Sequence, residues 1–253
     1  MQFIIDSDIP FIRGVLEPYG RVSYLKGGDI RSEHLGDAEV LVVRTRTRCD
    51  EALLGGSNIR FIATATIGTD HIDLDYCRRV GIEVFNAKGC NARGVLQWVA
   101  AALRHITTTD NKQPNEYTLG IIGVGSVGSL VTKYARHWGF KVMECDPPRY
   151  EREGGEFYPI ERLAEECDIL SFHTPLDPTT HHLLNKSLLE RLRPDAVILN
   201  ASRGGVVDNI AVANSSHRYY FDVWENEPNI TPIVLEKSVI ATPHVAGYSA
   251  QGK

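Results

Sequence analysis

The run GVGSVG constrains the architecture of this chain more than any other feature. Gly123, Gly125 and Gly128 stand directly after the apolar segment TLGII. Directly after them Val127, Leu130, Val131, Tyr134, Ala135 and Trp138 recur at helical spacing as far as Gly139. A strand, a glycine turn and a helix in that order have a physical logic. The first glycine makes the tight turn, the second lets backbone approach a pyrophosphate, and the third allows close helix packing while the helix N-terminus faces the anion. Ser126 and Val127, which open the helix, join the glycines as expected dinucleotide contacts. The next apolar strand, FKVMECD, ends at Asp146, 18 residues beyond Gly128. A carboxylate there can accept hydrogen bonds from an adenosine ribose and repels a 2′-phosphate, which favours NAD over NADP. Arg149, three residues on, keeps the opposite preference open.

Short apolar runs without strict alternation precede this motif at residues 3–5, 22–25, 40–43, 61–65 and 84–85. A second series starts at Leu119 and continues at 140–143, 169–172, 196–199, 219–223 and 239–241. Runs of this kind suit parallel strands buried on both faces, with helices between them. Between the series, NARGVLQWVAAALRHI keeps a helical stripe through Val95, Leu96, Val99, Ala100, Leu103 and Ile106 before the polar TTTDNKQPNEY breaks it. The expected fold is therefore α/β with two domains. Residues 1–91 form a flavodoxin-like domain, and residues 92–253 form a doubly wound Rossmann-type domain that begins with an interdomain helix.

Composition narrows the function. Net charge is −5 and no run of Lys or Arg exceeds a pair, so the electrostatic footprint of a nucleic-acid binder is missing. The five cysteines are odd in number and form no CxxC pair, which argues against a zinc site or a disulfide framework and for a reducing cytoplasm. Asp6 and Asp8 interrupt the place where a signal peptide needs its apolar stretch, and no run of about 18 apolar residues suggests a membrane span.

Three polar groups fall at strand ends in the second half: Arg203 in NASRGGVVD, Glu227 in DVWENEP and His244 in TPHVAGYS. Open α/β sheets place their chemistry at such carboxyl ends. Oxidising a 2-hydroxy acid needs a base for the hydroxyl proton, and a histidine titrating near neutrality suits that task. A carboxylate such as Glu227 beside it orients the ring and favours the imidazolium. The planar fork of Arg203 can hold a substrate carboxylate bidentately or polarise the C2 oxygen.

These same three segments resemble the Arg, Glu and His signature segments of the D-2-hydroxyacid dehydrogenases, and FHTPL, with His173 and Thr174, resembles that family's cofactor-side loop. The resemblance implies cofactor contacts at Thr174, Ala201, Ser202, Asp222 and Gly247, with Asp222 near the nicotinamide carboxamide. In the first half VRTRTRCDEALL, FIATATIGTDHIDLDYC and NAKGCNARGV are similar to the members that act on a small phosphorylated hydroxy acid, where other relatives carry a GVGVDNVD-like loop. By that likeness the first domain binds substrate through Thr45 and Thr66, with Tyr248 adding a third hydroxyl. Arg44 and Arg46 bracket Thr45 and could supply cations for a phosphate. The resemblance further implies a homodimer, with a return helix and a dimerisation domain beyond Lys253. It also makes the chain look short around residues 177–180 and 213–218. A dehydrogenase for 3-phosphoglycerate or glyoxylate would share the second-half motifs, and an NAD-sensing binding protein would share the fold.

Overall fold

The computed structural model describes residues 1–248 and divides into two compact units, Met1–Cys90 and a second that starts at Asn91. The strands of the first are β1 (Gln2–Asp6), β2 (Arg21–Leu25), β3 (Val40–Val43), β4 (Phe61–Thr64) and β5 (Glu83–Asn86). All pair in parallel in the order β2-β1-β3-β4-β5, which is the flavodoxin-like order. The alternation of side chains along each strand separates two buried clusters. Ile4, Leu41, Val43 and Ile62 pack with Leu53, Leu54, Tyr76 and Cys77, while Phe3, Ile5, Val40 and Val42 form the other cluster. The strand order reverses between β1 and β3. The residues that follow these two strands, Ser7 to Ile9 and Arg44 to Thr47, therefore stand at the topological switch point where open sheets bind ligands.

The second unit opens with the helix Ala92–Thr109. Its strands are β6 (Thr118–Ile122), β7 (Lys141–Cys145), β8 (Ile169–Phe172), β9 (Val197–Asn200), β10 (Arg218–Phe221) and β11 (Ser238–Ala241). They form one parallel sheet in the order β11-β10-β9-β8-β6-β7. A doubly wound sheet often carries one more strand outside β7. Here that place holds a single rung, Tyr158 N–H donating to Glu144 O at 2.8 Å. Strands β8 and β9 are buried at every position, and Tyr219, Tyr220 and Phe221 of β10 are wholly buried or nearly so. Each such side chain contributes about 1.5–3 kcal/mol of burial, so the sheet core is the rigid base on which the loops stand.

Tyr134 and Trp138 belong to the apolar stripe of the helix Ser126–Trp138 but stay 39% and 36% exposed, with ring centroids 5.9 Å apart. The buried face is narrower and made of small side chains, Gly128, Val131, Thr132 and Ala135. Thr132 donates to Glu144 Oε1 at 2.9 Å, which brings a small polar side chain inward and leaves the aromatic rings on the rim. The two stretches that look short close as turns. Asp177 Oδ1 accepts from the N–H and hydroxyl of Thr179, and Ser215 Oγ lies 2.7 Å from His217 Nδ1.

Candidate active site

In the second unit the glycine turn sits at the switch point between β6 and β8. Gly123 has φ of 85°, and a side chain on Gly128 would stand 2.0 Å from Gly123 O, so the turn closes only with glycine at that crossing. A Cβ on Gly125, by contrast, meets nothing within 4 Å. Gly125 caps the helix Ser126–Trp138 without any side-chain capping bond, which leaves the N–H groups of the first turn facing that open space. Beside it Thr174 Oγ1 is buried and finds no hydrogen-bond partner among the described residues. Open room, free N–H donors and an unsatisfied hydroxyl are what a dinucleotide pyrophosphate requires, so these residues fit NAD.

Asp146 follows β7 directly. Its Oδ2 accepts from Val124 N–H at 2.7 Å and its Oδ1 from Arg149 N–H at 3.0 Å, so it ties the glycine turn to the cap of the helix Pro147–Glu153. The guanidinium of Arg149 reaches the same turn, donating to Val124 O at 3.0 Å and to Ser129 Oγ at 3.3 Å, while its Nε donates to Glu153 Oε2 at 2.7 Å. Behind the turn, burial pushes the His173 imidazole down to about 4.

Arg203, Glu227 and His244 arise from three successive strand ends, after β9, β10 and β11. The Arg203 loop and the DVWENEP turn touch backbone to backbone. A Cβ on Gly204 would lie 2.0 Å from the Trp224 carbonyl, so only glycine allows the approach. Glu227 Oε1 accepts from Trp224 N–H at 2.6 Å and its Oε2 lies 2.8 Å from His244 Nδ1. The hydrogen bond to Glu227 raises the His244 pKa against the opposing effect of burial. Burial pushes the Glu227 carboxyl up, yet the bonds from His244 and Trp224 outweigh it and hold the group low. With Nδ1 engaged by Glu227, the neutral ring keeps Nε2 as its basic nitrogen. The ring is half-exposed, as a group that meets a ligand must be.

His244 adopts φ of 55°, a left-handed backbone that a non-glycine residue seldom takes. Asp222 holds it there. The Asp222 side chain is completely buried; its Oδ1 accepts from Thr242 Oγ1 at 2.5 Å and Val245 N at 2.8 Å, and its Oδ2 from Ala246 N at 2.8 Å. The Asp222 carbonyl accepts His244 N–H at 2.7 Å. Asn200 plays the matching part for the neighbouring loop, its Oδ1 accepting from Ser202 N and Oγ. Ala201 and Ser202 thus precede Arg203 on a pinned segment. Gly247 lies against Asn91, and Tyr248 is 75% exposed.

In the first unit, the residues expected to meet substrate are held more loosely. Arg44 faces Asp6, with Nε 3.5 Å from Oδ2, and Asp8 at 3.9 Å. Thr45 and Arg46 are exposed, and among the described residues Arg46 forms no ion pair. Thr66 is half-buried, with its hydroxyl 2.6 Å from that of Thr64.

Residues 93–246 match the NAD binding domain of the D-isomer specific 2-hydroxyacid dehydrogenases, and residues 22–137 match the catalytic domain of the same family. A Bacteroides fragilis protein named erythronate-4-phosphate dehydrogenase is 46% identical over 100% of this chain and 76% of its own length. The chain belongs to the D-isomer specific 2-hydroxyacid dehydrogenase family. Two solved structures share the fold. D-lactate dehydrogenase from Aquifex aeolicus complexed with NAD and lactic acid matches with a TM-score of 0.80 at 24% identity, covering 100% of this chain and 90% of that one. An acyclic imino acid reductase in complex with NADPH and D-Arg matches at 0.85 and 21%, covering 100% and 92%.

As a member of this family the protein is an NAD-dependent oxidoreductase acting on a small 2-hydroxy acid. The residues that sequence reasoning missed in this dehydrogenase are those that hold the loops. Thr242 links Asp222 to the Trp98 indole, which donates to its hydroxyl at 2.9 Å, and its carbonyl accepts Trp224 Nε1. The only sequence signal was the position of Thr242 at a strand end, shared by many residues of no consequence. His181, His182 and Glu225 are a second polar group, with ligand atoms within 4.8 Å of one another. The two rings stack 3.9 Å apart at 25°, and near-parallel rings do not aim their in-plane lone pairs at one ion.

Proposed function

We propose that this dehydrogenase oxidises 4-phospho-D-erythronate at C2 to 2-oxo-3-hydroxy-4-phosphobutanoate with NAD, a step in pyridoxal 5′-phosphate (vitamin B6) biosynthesis. The observation that carries the chemistry is the His244–Glu227 pair, 2.8 Å apart, with Nε2 of the ring left basic. Nε2 takes the C2 hydroxyl proton, and Glu227 stabilises the imidazolium that forms. NAD, when bound, accepts the hydride that leaves C2. Arg203 holds the carboxylate end of the substrate. Gly123, Gly125, Ser126, Val127 and Gly128 receive the pyrophosphate, Asp146 the adenosine ribose, and Thr174, Ala201, Ser202, Asp222 and Gly247 the remainder of the cofactor.

Substrate choice rests on the first unit. It is supported by the name of the Bacteroides fragilis relative and by the TATIGTDH segment, which resembles that of members acting on a small phosphorylated hydroxy acid. Thr45, Thr66 and Tyr248 supply hydroxyls, and Arg44 or Arg46 the phosphate cation. A cytoplasmic homodimer completes the reading, and the five unpaired thiols suit a reducing compartment. The test is to incubate the purified protein with NAD and a panel of 2-hydroxy acids, following NADH absorbance. Preferred turnover of 4-phospho-D-erythronate is expected. Equal turnover of the unphosphorylated acid would remove the phosphate from recognition, and preferred turnover of 3-phosphoglycerate or glycolate would replace the substrate assignment.

A further inference from the structure

Thr64, Thr66 and His71 form a connected polar chain within the first unit. Thr64 Oγ1 lies 2.6 Å from Thr66 Oγ1 and 3.1 Å from His71 Nε2, and Thr66 donates to Gly68 O at 3.0 Å. Backbone bonds fix the loop that carries them. Cys49 N–H donates to His71 O, Asp73 N–H to Cys49 O, and Ala87 N–H to Thr66 O. Thr64 and His71 are buried, at 3% and 9% exposure, whereas Thr66 is half-buried and so can meet a ligand.

The direction of these bonds follows from one orphaned atom. His71 Nδ1 is buried and has no hydrogen-bond partner among the described residues. Burial holds the ring's pKa below the ordinary value against the pull of Asp70, so the ring is neutral and carries a single N–H. If that hydrogen sat on Nδ1 it would be a buried donor with no acceptor. On Nε2 it donates to Thr64 and leaves only an unused lone pair at Nδ1. Orphaned N–H groups are rarer than under-used acceptors, so the Nε2–H form is preferred. Each threonine has one hydroxyl hydrogen, and the order therefore propagates: His71 donates to Thr64, Thr64 to Thr66, and Thr66 to Gly68 O. The reverse order would ask the single hydrogen of Thr66 to serve both Thr64 and Gly68 O.

We propose that His71 and Thr64 are positioning residues that leave Thr66 facing the substrate as a hydrogen-bond acceptor only, so that this loop selects an acid carrying a second hydroxyl beside the reacting one. This inference rests on the substrate reading above and sharpens it. An acceptor-only hydroxyl repels a phosphate or carboxylate oxygen, which assigns Thr66 to the C3 hydroxyl of the acid and leaves the anionic groups to arginine.

The test compares kcat/KM for 4-phospho-D-erythronate with that for 2-hydroxy-4-phosphobutanoate, which lacks the C3 hydroxyl. The wild-type protein should prefer the hydroxylated acid by about ten- to a hundred-fold, the usual cost of leaving a built hydrogen-bond site unmatched. Thr66→Val should abolish the preference. Thr64→Val and His71→Leu should reduce it while leaving the KM for NAD unchanged, and His71→Gln, whose amide can supply an N–H where Nε2 stood, should restore most of it. Wild-type preference in both Thr64→Val and His71→Leu, or an equal loss for both acids in Thr66→Val, would overturn the proposal. The nitrogen-15 shifts of His71 in the unmutated protein give a reading independent of how the variants fold. A proton on Nε2 is expected, and one on Nδ1 would overturn the order of donation. If 4-phospho-D-erythronate proved not to be a substrate, the functional reading would fail while the tautomer measurement still decided the proton order.

Discussion

In the second unit the imidazole of His244 is placed by a wholly buried carboxylate that grips the hydroxyl of Thr242 before it and the two backbone N–H groups after it, whereas in the first unit the hydroxyl of Thr66 is placed by a chain of neutral side-chain donors. The first arrangement uses charge-assisted bonds to the main chain and a glycine contact that admits no side chain. It suits atoms that must be held to a fraction of an ångström against a reacting centre. The second uses weaker bonds between side chains, two of them buried, and lies next to exposed Thr45 and Arg46. Such a network is easier to retune without disturbing the base, and that is where members of one family can differ in substrate while sharing their chemistry.

The strongest way to break the comparison is at the base itself. His244→Ala should lower kcat by at least about a hundred-fold, the contribution of a positioned acid or base, with NAD affinity nearly intact in calorimetric titration. Turnover close to that of the unmutated protein would take His244 out of the mechanism.

Asp222→Asn tests the scaffold rather than the chemistry. The amide nitrogen would confront one of the N–H donors or the hydroxyl that the carboxylate now satisfies, and an unmatched buried donor costs about 1–3 kcal/mol. A lower Tm and a lower kcat should therefore appear together. A lower kcat with an unchanged Tm would leave Asp222 its proposed cofactor contact and take it out of the loop's support.

Much of the second unit was legible in advance because its constraints are covalent or steric and so restrict residue type. Glycine at 123 and 128 is demanded by a turn and a close crossing, and the strands announce themselves as unbroken apolar runs. The supports of the site were not legible. Trp98 reaches Thr242 across 144 positions of sequence and Asn200 acts through short-range bonds to Ser202 and Arg203, and no periodicity marks such residues. The first unit repeats the lesson. Thr64 and His71 stand in the run TATIGTDH, but only the geometry shows that His71 reaches Thr66 through Thr64. Arg44 and Arg46 read alike as sequence, yet one faces a buried aspartate and the other is exposed.

Glu227→Gln sharpens the comparison through pH. Oxidation needs the neutral imidazole, so kcat/KM should rise as pH rises through the His244 pKa, which the Glu227 bond holds above 6.5. Removing the charge should move that inflection to lower pH; an unchanged profile would make Glu227 structural only. For the histidine, stability runs the opposite way to activity. The raised histidine contributes fully below its ordinary pKa and its contribution is lost as pH rises through the higher folded value. Glu227, held low, contributes above its ordinary value and loses that contribution as pH falls.

The two arginines after β3 separate recognition from support. Arg46→Ala should raise the KM for the phosphorylated acid about ten-fold with little change in Tm, as expected for loss of a charge-assisted phosphate bond. Arg44→Ala leaves the buried Asp6 carboxylate without its nearest cation and should lower Tm as well. If only Arg44→Ala raised KM, and did so at constant Tm, the phosphate would belong to Arg44.

The smallest effect is expected at Arg149, where the cofactor turn borrows the side-chain support that typifies the first unit. A loose cation beside Asp146 would favour the 2′-phosphate of NADP, but this guanidinium is committed to Val124 O, Ser129 Oγ and Glu153. Its work is to hold the glycine turn against the helix Pro147–Glu153. Arg149→Ala should therefore raise the KM for NAD only about five-fold, near 1 kcal/mol for the loss of these partly exposed bonds, with kcat unchanged. Glu153→Ala should release the guanidinium and raise the NADP to NAD ratio of kcat/KM by a similar small factor. The discriminating result lies in how Arg149→Ala treats the two cofactors. If it weakens NADP much more than NAD, Arg149 already serves as a phosphate ligand, and the preference for NAD would have to come from Asp146 acting against it.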